Sequence, residues 1–127
     1  MTNNTQITMV SKNIKPYDLE ERTLEYAKGI IRLCKKIPNS TINIKLIGQL
    51  VNASGSVGAN YREANDAISK KDFLYRMKIS RKECKESTYW LELLKEANQN
   101  YSGDADEFIT ESKELRNILS SIIKKSE

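Results

Sequence analysis

Apolar residues recur with a helical period through four segments of the chain. In the first segment one stripe consists of Leu19, Tyr26, Ile30, Leu33 and Ile37, and a second stripe beside it of Leu24, Ala27, Ile31 and Cys34. Asp18 followed three residues later by Glu21 predicts a capping box at the start of this helix, and Pro38 predicts its end. Because the two stripes together make a wide apolar face, we expect the helix to be covered on two sides, as in a bundle.

The second helix is predicted over residues 43–67 by a heptad seam. Its members are Ile47, Leu50, Ser54, Val57, Tyr61 and Ala64. Gly55 and Gly58 lie between members of this seam, and a glycine in a helix interior lowers helix stability by up to about 1 kcal/mol. The glycines indicate either close approach of a neighbouring helix or a ligand to the backbone, or a kink or break between two shorter helices. Because the apolar spacing continues in phase across them, we expect one helix with close packing.

Two further helices complete the pattern. Ser69 and Asp72 give a capping signal, after which one stripe carries Phe73, Met77, Ser80, Cys84, Ser87, Leu91 and Leu94. A turn is predicted at residues 98–103. A shorter fourth helix is predicted after it, with Phe108, Leu115, Ile118, Leu119, Ile122 and Ile123 as its apolar residues. Short connections between four amphipathic helices predict an all-α fold over residues 16–127, an antiparallel up-down-up-down four-helix bundle, with residues 1–15 as a flexible tail.

Length and hydropathy limit the protein class. A chain of 127 residues suits one domain with a single core. No apolar run is long enough to cross a bilayer, and no basic stretch followed by an apolar one marks the N-terminus, which predicts a cytoplasmic protein. Cys34 and Cys84 have no metal-ligand spacing and fall on apolar stripes, so we expect buried, reduced thiols.

The chain contains no histidine, and this absence excludes several kinds of catalytic site. Ser-His and Cys-His pairs, His-based zinc sites and the Glu-x-x-His di-iron pattern all need one. Glu83 and Glu86 lie on a stripe of otherwise apolar residues, where two acids could serve a metal or acid-base chemistry, but no second component is visible. We therefore expect no enzyme, metal or cofactor, and a structural polar network of Glu83 and Glu86 with Asn60, Arg62 or a tyrosine hydroxyl.

Positive charge is concentrated on the second and third helices. From Lys70 to Lys85, seven basic residues stand against two acidic ones, a local balance of +5, whereas the whole chain totals +4. Such a run can attract phosphates, or it can be the solvated face of an ordinary helix; no aromatic stacking array or reading motif accompanies it. We predict non-specific nucleic-acid binding, with a protein-protein scaffold or accessory subunit as the alternative. The candidate binding residues are Lys70, Lys71, Lys78, Arg81, Lys82 and Lys85.

Several sequence blocks, in this order, carry a family resemblance. They are QL (49–50), SVGANYREA (56–64), SKKDF (69–73), KECKES (82–87) and YWLELL (89–94). With these blocks the chain resembles the four-helix-bundle proteins of the 23S ribosomal RNA intervening-sequence protein family. The resemblance implies a left-handed bundle that assembles into a ring-like homopentamer, with no established enzymatic activity. The family name records reading frames found inside insertions in ribosomal RNA genes, and it is not proof of ribosomal binding.

A similar bundle is the accessory protein of diversity-generating retroelements, where a basic pentamer engages nucleic acid and a reverse transcriptase. The partners implied for this chain are further copies of itself, RNA or DNA, and a protein such as a reverse transcriptase, with no membrane. Two residues depart from the pattern. Asn52 stands where relatives usually have an arginine, and Gly55 replaces a larger residue, so contacts made through that arginine are not carried over.

Overall fold

The computed structural model describes residues 18–127, which form four α-helices. These are α1 (Leu19–Lys36), α2 (Thr41–Asn65), α3 (Lys70–Ala97) and α4 (Ser102–Ser126), with a short 3-10 helix at Gln99–Tyr101 between the last two. No strand occurs in this range. The predicted all-α fold with four helices is confirmed, whereas the predicted tail at residues 1–15 lies outside the described residues.

One core holds the four helices together. Each helix packs on the next in the chain, and α1 also packs on α4, an arrangement consistent with a four-helix bundle. The predicted stripes supply its largest fully buried side chains, among them Tyr26, Ile30, Leu33, Leu50, Val57, Met77, Leu91, Leu94, Phe108, Leu115 and Leu119. Burial of one side chain of this size contributes about 1.5 to 3 kcal/mol, so the apolar seam dominates the stability of the fold.

The helix starts differ in their capping. The side chains of Ser40 and Ser69 accept hydrogen bonds from the backbone N–H groups of Asn43 and Asp72, each at 3.0 Å. Asp18 stands at the corresponding position of α1 with φ −92° and ψ 18°, and its side chain makes no capping bond. Because a cap needs extended backbone to aim its oxygen at the first amides, the predicted capping box is wrong.

The fourth helix is longer than its apolar pattern indicates. It has 25 residues, as many as α2, and the predicted turn at residues 98–103 shrinks because α4 already begins at Ser102. Gly103 lies in the first helical turn. Ala105 and Phe108 are buried just beyond it, and their packing outweighs the weak helix propensity of the glycine.

The helix α2 runs unbroken through both of its central glycines, as predicted. A Cβ atom on Gly58 would lie 2.8 Å from Thr23 Oγ1 of α1, so the close approach of a neighbouring helix is confirmed there. Gly55 has open space instead, and the packing prediction is wrong for it. A Cβ on Gly29 would lie 2.5 Å from Phe108 Cε1, a second close approach that the heptad pattern did not indicate.

Candidate functional site

The six candidate basic residues share one face of α3, which we call the basic face. At 3.6 residues per turn, Lys70, Lys71, Lys78, Arg81, Lys82 and Lys85 fall within an arc of about 120°. All are exposed except Arg81, which is half-buried. The buried residues of the same helix, such as Cys84 and Leu91, point into the core. The structure therefore brings the predicted cations together on the surface.

Few close ion pairs involve the basic face. Within residues 18–127 the salt bridge to these six residues joins Lys78 Nζ to Glu127 Oε2 at 3.7 Å, and both side chains are at least half exposed. Such an exposed pair contributes little, and salt screens it further. Among residues 18–127, close ion pairs therefore leave most of these six cations unpaired, although the Glu83 carboxylate lies near Lys82.

Two exposed tyrosines accompany the basic face. Tyr75 is 60% and Tyr89 58% exposed, and Tyr75 borders a shallow depression of about 490 Å³ that Lys70, Lys71, Leu74 and Lys78 also line. The two tyrosines were not predicted as site residues, because they do not follow each other closely in the chain. Their separation of two heptads, in phase with the lysines between them, is the signal that could have found them.

The predicted polar network of Asn60, Arg62, Glu83 and Glu86 is not formed within residues 18–127. Asn60 Nδ2 donates to the Ser56 carbonyl of its own helix at 2.9 Å, and Arg62 and Glu86 are exposed. Glu83 is half-buried. Its pKa is raised, first by partial burial and then by the charge of the Glu86 carboxylate, whereas the charge of Lys82 acts in the opposite direction. The prediction that both acids are buried is wrong because their stripe flanks the core instead of facing it.

The buried ion pair lies elsewhere, between α1 and α4. Arg22 donates from Nε to Glu111 Oε2 at 2.8 Å and from Nη2 to Glu111 Oε1 at 2.9 Å, and the two side chains are 4% and 3% exposed. Nη2 also donates to Glu114 Oε1 at 2.8 Å. Burial lowers the pKa of Arg22, but the bonds and charges of the two glutamates raise it overall. The guanidinium therefore stays charged inside the fold.

The sequence carried a weak signal for this pair. Arg22 continues the helical spacing of Leu19 and Tyr26, and Glu111 stands between Phe108 and Leu115 at the same kind of spacing. Both charged residues thus occupy core positions of their helices. Their separation by 89 positions in the chain hid the partnership.

Polar groups in the core are bonded to each other. Tyr26 Oη and Ser87 Oγ are 2.8 Å apart, Ser80 Oγ donates to the Val57 carbonyl at 2.7 Å, and Cys84 Sγ donates to the Ser112 carbonyl at 3.0 Å. Within the described range, every buried side-chain nitrogen or oxygen has a partner. The serines on the α3 stripe therefore have a structural role, because their hydroxyl groups are hydrogen-bonded inside the core.

The two cysteines are free thiols. Cys84 is buried as predicted, whereas Cys34 is only half-buried. Burial raises the pKa of Cys84 to about 12 and that of Cys34 to about 11, so both thiols are protonated near neutral pH and are poor nucleophiles. The residues from 18 to 127 contain no group of three Cys, Asp or Glu side chains placed to hold a metal ion.

A second surface is apolar, and we call it the outer apolar surface: Leu24 and Ile31 on α1, with Ile44 and Val51 on α2. Their exposed fractions are 36%, 46%, 63% and 37%. The predicted covering of the second α1 stripe is therefore incomplete in the single chain. Gly58, one heptad after Val51, contacts Thr23 of α1, so the α2 part of this surface flanks the seam between the two helices. No helix among the described residues is long and apolar enough to span a membrane.

Comparisons with known proteins agree with this architecture. A family model described as the 23S rRNA-intervening sequence protein matches residues 16–121. A crystal structure of a protein with unknown function from the S23 ribosomal protein family of Bacteroides thetaiotaomicron shares 33% sequence identity with a TM-score of 0.79, covering 87% of this chain and 99% of that one. No curated protein matches significantly. The similarity to the retroelement accessory protein remains a prediction.

Proposed function

The chain belongs to the 23S rRNA-intervening sequence protein family, and on that basis we propose that it is a non-enzymatic, oligomeric four-helix bundle of the cytoplasm that binds nucleic acid through its basic face. The observation that carries the proposal is the gathering of six basic side chains on one arc of α3, with one close ion pair among the described residues. We further propose that the helices run up-down-up-down with a left-handed twist and that the assembly is a ring-like homopentamer.

The chemistry of the basic face suits phosphate more than any base. Lysine ammonium groups contact phosphates as point charges, and binding of this kind releases counterions without reading sequence. A symmetric ring repeats the face once per subunit, and several weak patches on one rigid assembly gain by avidity. The alternative is a scaffold or accessory subunit for a protein such as a reverse transcriptase. The outer apolar surface favours contact with a protein, either a partner or another subunit.

Reversal of charge on the basic face tests nucleic-acid binding. The triple variant Lys78→Glu, Lys82→Glu and Lys85→Glu should weaken binding of a mixed-sequence RNA or DNA at least tenfold, because three phosphate contacts become repulsive. All three residues are exposed, so the helical content should not change. Fluorescence anisotropy over a salt titration measures the affinity, which should fall linearly with the logarithm of salt concentration.

A matched control lies on α1, where Lys28, Arg32 and Lys35 are also exposed. Their reversal to glutamate alters the net charge by the same amount and should weaken binding far less. Equal losses in the two triple variants would mean that net charge, and not the basic face, governs binding. Absence of binding by the wild-type protein at low salt would overturn the proposal in favour of the scaffold alternative.

The outer apolar surface is proposed as the contact between subunits. Its four side chains are aliphatic and in helical register, and burial of such area releases about 25 cal/mol per Å². Exposed apolar side chains gathered on two helices that pack on each other commonly mark an interface. The same surface also accounts for the second α1 stripe, which the fold of one chain leaves only partly covered.

Substitution on the outer apolar surface should therefore reduce the mass of the assembly. Light scattering of the wild-type protein is expected to report a mass near five chains, and the pair Ile31→Asp and Ile44→Asp should lower it, because carboxylates would be desolvated at the contact. Ile68→Asp is the control, since Ile68 is 95% exposed in the α2–α3 connection. A monomeric wild-type protein at micromolar concentration would contradict the assembly.

A further inference from the structure

Two exposed tyrosines and the three lysines between them lie along one line of α3. Tyr75, Lys78, Lys82, Lys85 and Tyr89 follow at steps of three, four, three and four residues, and we call this line the tyrosine-lysine stripe. Its two tyrosines are the exposed aromatic side chains of residues 18–127. At 1.5 Å rise per residue the rings stand about 21 Å apart along the helix, with three ammonium groups between them.

We propose that the tyrosine-lysine stripe binds single-stranded nucleic acid, with bases stacked on the two rings and phosphates on the lysines between them. This inference rests on the proposed function and specifies its ligand. An aromatic ring gives any base a stacking surface without reading its identity, and cations beside it follow the backbone. Bases in a duplex are already stacked on each other, so the rings cannot reach them.

The surroundings of Tyr75 fit a nucleotide. The Arg76 guanidinium lies over the ring, 5.7 Å from its centroid, and therefore occupies one face of it. The shallow depression beside Tyr75 is bordered by Lys71, Leu74 and Lys78, so an apolar floor is surrounded by ammonium groups. A base and its phosphate need this combination of flat apolar area and positive charge.

The surroundings of Tyr89 leave its ring available as well. Tyr89 and Trp90 meet nearly edge to face, with centroids 5.1 Å apart and planes at 75°, so the two rings are not stacked on each other. Trp90 is the single tryptophan of the chain. A base that stacks on Tyr89 would come close to this indole and should quench its fluorescence.

Electrostatics alone predicts the opposite preference, which makes the inference testable. A duplex carries one charge per about 1.7 Å of its axis, against one per about 3.4 Å along a single strand. A face that recognises only phosphates should therefore favour the duplex. A preference for the single strand requires contacts to exposed bases, and the stripe offers the two tyrosines for them.

The experiment compares the wild-type protein with Tyr75→Ala/Tyr89→Ala and Tyr75→Phe/Tyr89→Phe variants. The probes are a fluorescein-labelled mixed-sequence 12-nucleotide DNA strand and the 12-base-pair duplex of the same sequence, at one salt concentration. The wild-type protein should bind the single strand more tightly, with quenching of Trp90 fluorescence. The alanine pair should lose at least tenfold in affinity for the single strand and little for the duplex, whereas the phenylalanine pair should stay within about threefold.

Three other outcomes would each contradict the stacking of bases on Tyr75 and Tyr89. Equal or tighter binding of the duplex by the wild-type protein, with no effect of the alanine pair, would overturn the stacking inference and leave the proposed function intact. No binding of either probe would overturn the proposed function together with the inference. A change in the light-scattering mass of the alanine pair would place the tyrosines in a subunit contact and overturn the inference.

Discussion

Replacement of Glu111 by leucine is expected to lower the free energy of unfolding by about 3 to 5 kcal/mol, because it leaves the buried Arg22 guanidinium without its bidentate partner. The Arg22 side chain is 4% exposed and cannot regain water without local opening. Glu114 keeps one hydrogen bond to it but lies at the surface. Urea denaturation at fixed protein concentration, followed by circular dichroism, measures the loss.

Two further variants separate the burial of charge from the loss of a contact. Glu114→Gln, whose side chain is 48% exposed in the wild type, should cost less than about 1 kcal/mol. The pair Arg22→Met/Glu111→Leu removes both charges and should recover most of the loss, since an apolar pair of similar volume needs no desolvation. A double variant no more stable than Glu111→Leu alone would contradict this account of the pair.

Gly58→Ala is expected to destabilise the fold by about 2 kcal/mol, although alanine is the better helix former. The added Cβ would lie 2.8 Å from Thr23 Oγ1 and 3.2 Å from Thr23 Cβ. Thr23 cannot easily yield, because it is fully buried and its hydroxyl donates to the Leu19 carbonyl at 2.7 Å. The seam between α1 and α2 would have to open, and thermal or urea unfolding would register the change.

Gly55→Ala is the matched control, three residues away on the same helix. No atom outside the adjoining residues and the local helix backbone lies within 4 Å of its added Cβ, so the helix-propensity term acts alone and should stabilise the fold by up to about 1 kcal/mol. The two alanine variants are thus expected to have opposite signs. Destabilisation by Gly55→Ala would show that another surface covers this side of α2 in solution.

The positions of the helices and most of the core could be predicted from the sequence. Helix type depends on the period of apolar residues along the chain, and capping depends on residues three apart, so both are local properties. The stripes of α1 to α4 were predictable for this reason, as was the cap at Ser69. The shared face of the six basic residues was predictable as well, because spacing alone places side chains on one side of a helix.

Properties that depend on the direction of the neighbouring helices could not be predicted in the same way. Glu86 and Ile31 lie on stripes that read as buried, yet both are exposed, because each stripe turns away from the nearest helix. The pairing of Arg22 with Glu111 needs α1 and α4 side by side, across 89 positions of chain. For the candidate site, the exposure of Tyr75 and Tyr89 likewise depends on how α3 is rotated against α2 and α4.

The sequence by itself therefore determined where the four helices form and which side of each is apolar or basic, because these follow from interactions within a few residues. The tertiary structure decided how far each apolar stripe is covered, which charges are buried together and which glycine carries a helix contact. The contrast between Gly55 and Gly58 shows the reason: both are equally helical in sequence context, but one faces open space and the other faces Thr23. The position of a neighbouring helix is set by packing of the whole core, which no local spacing records.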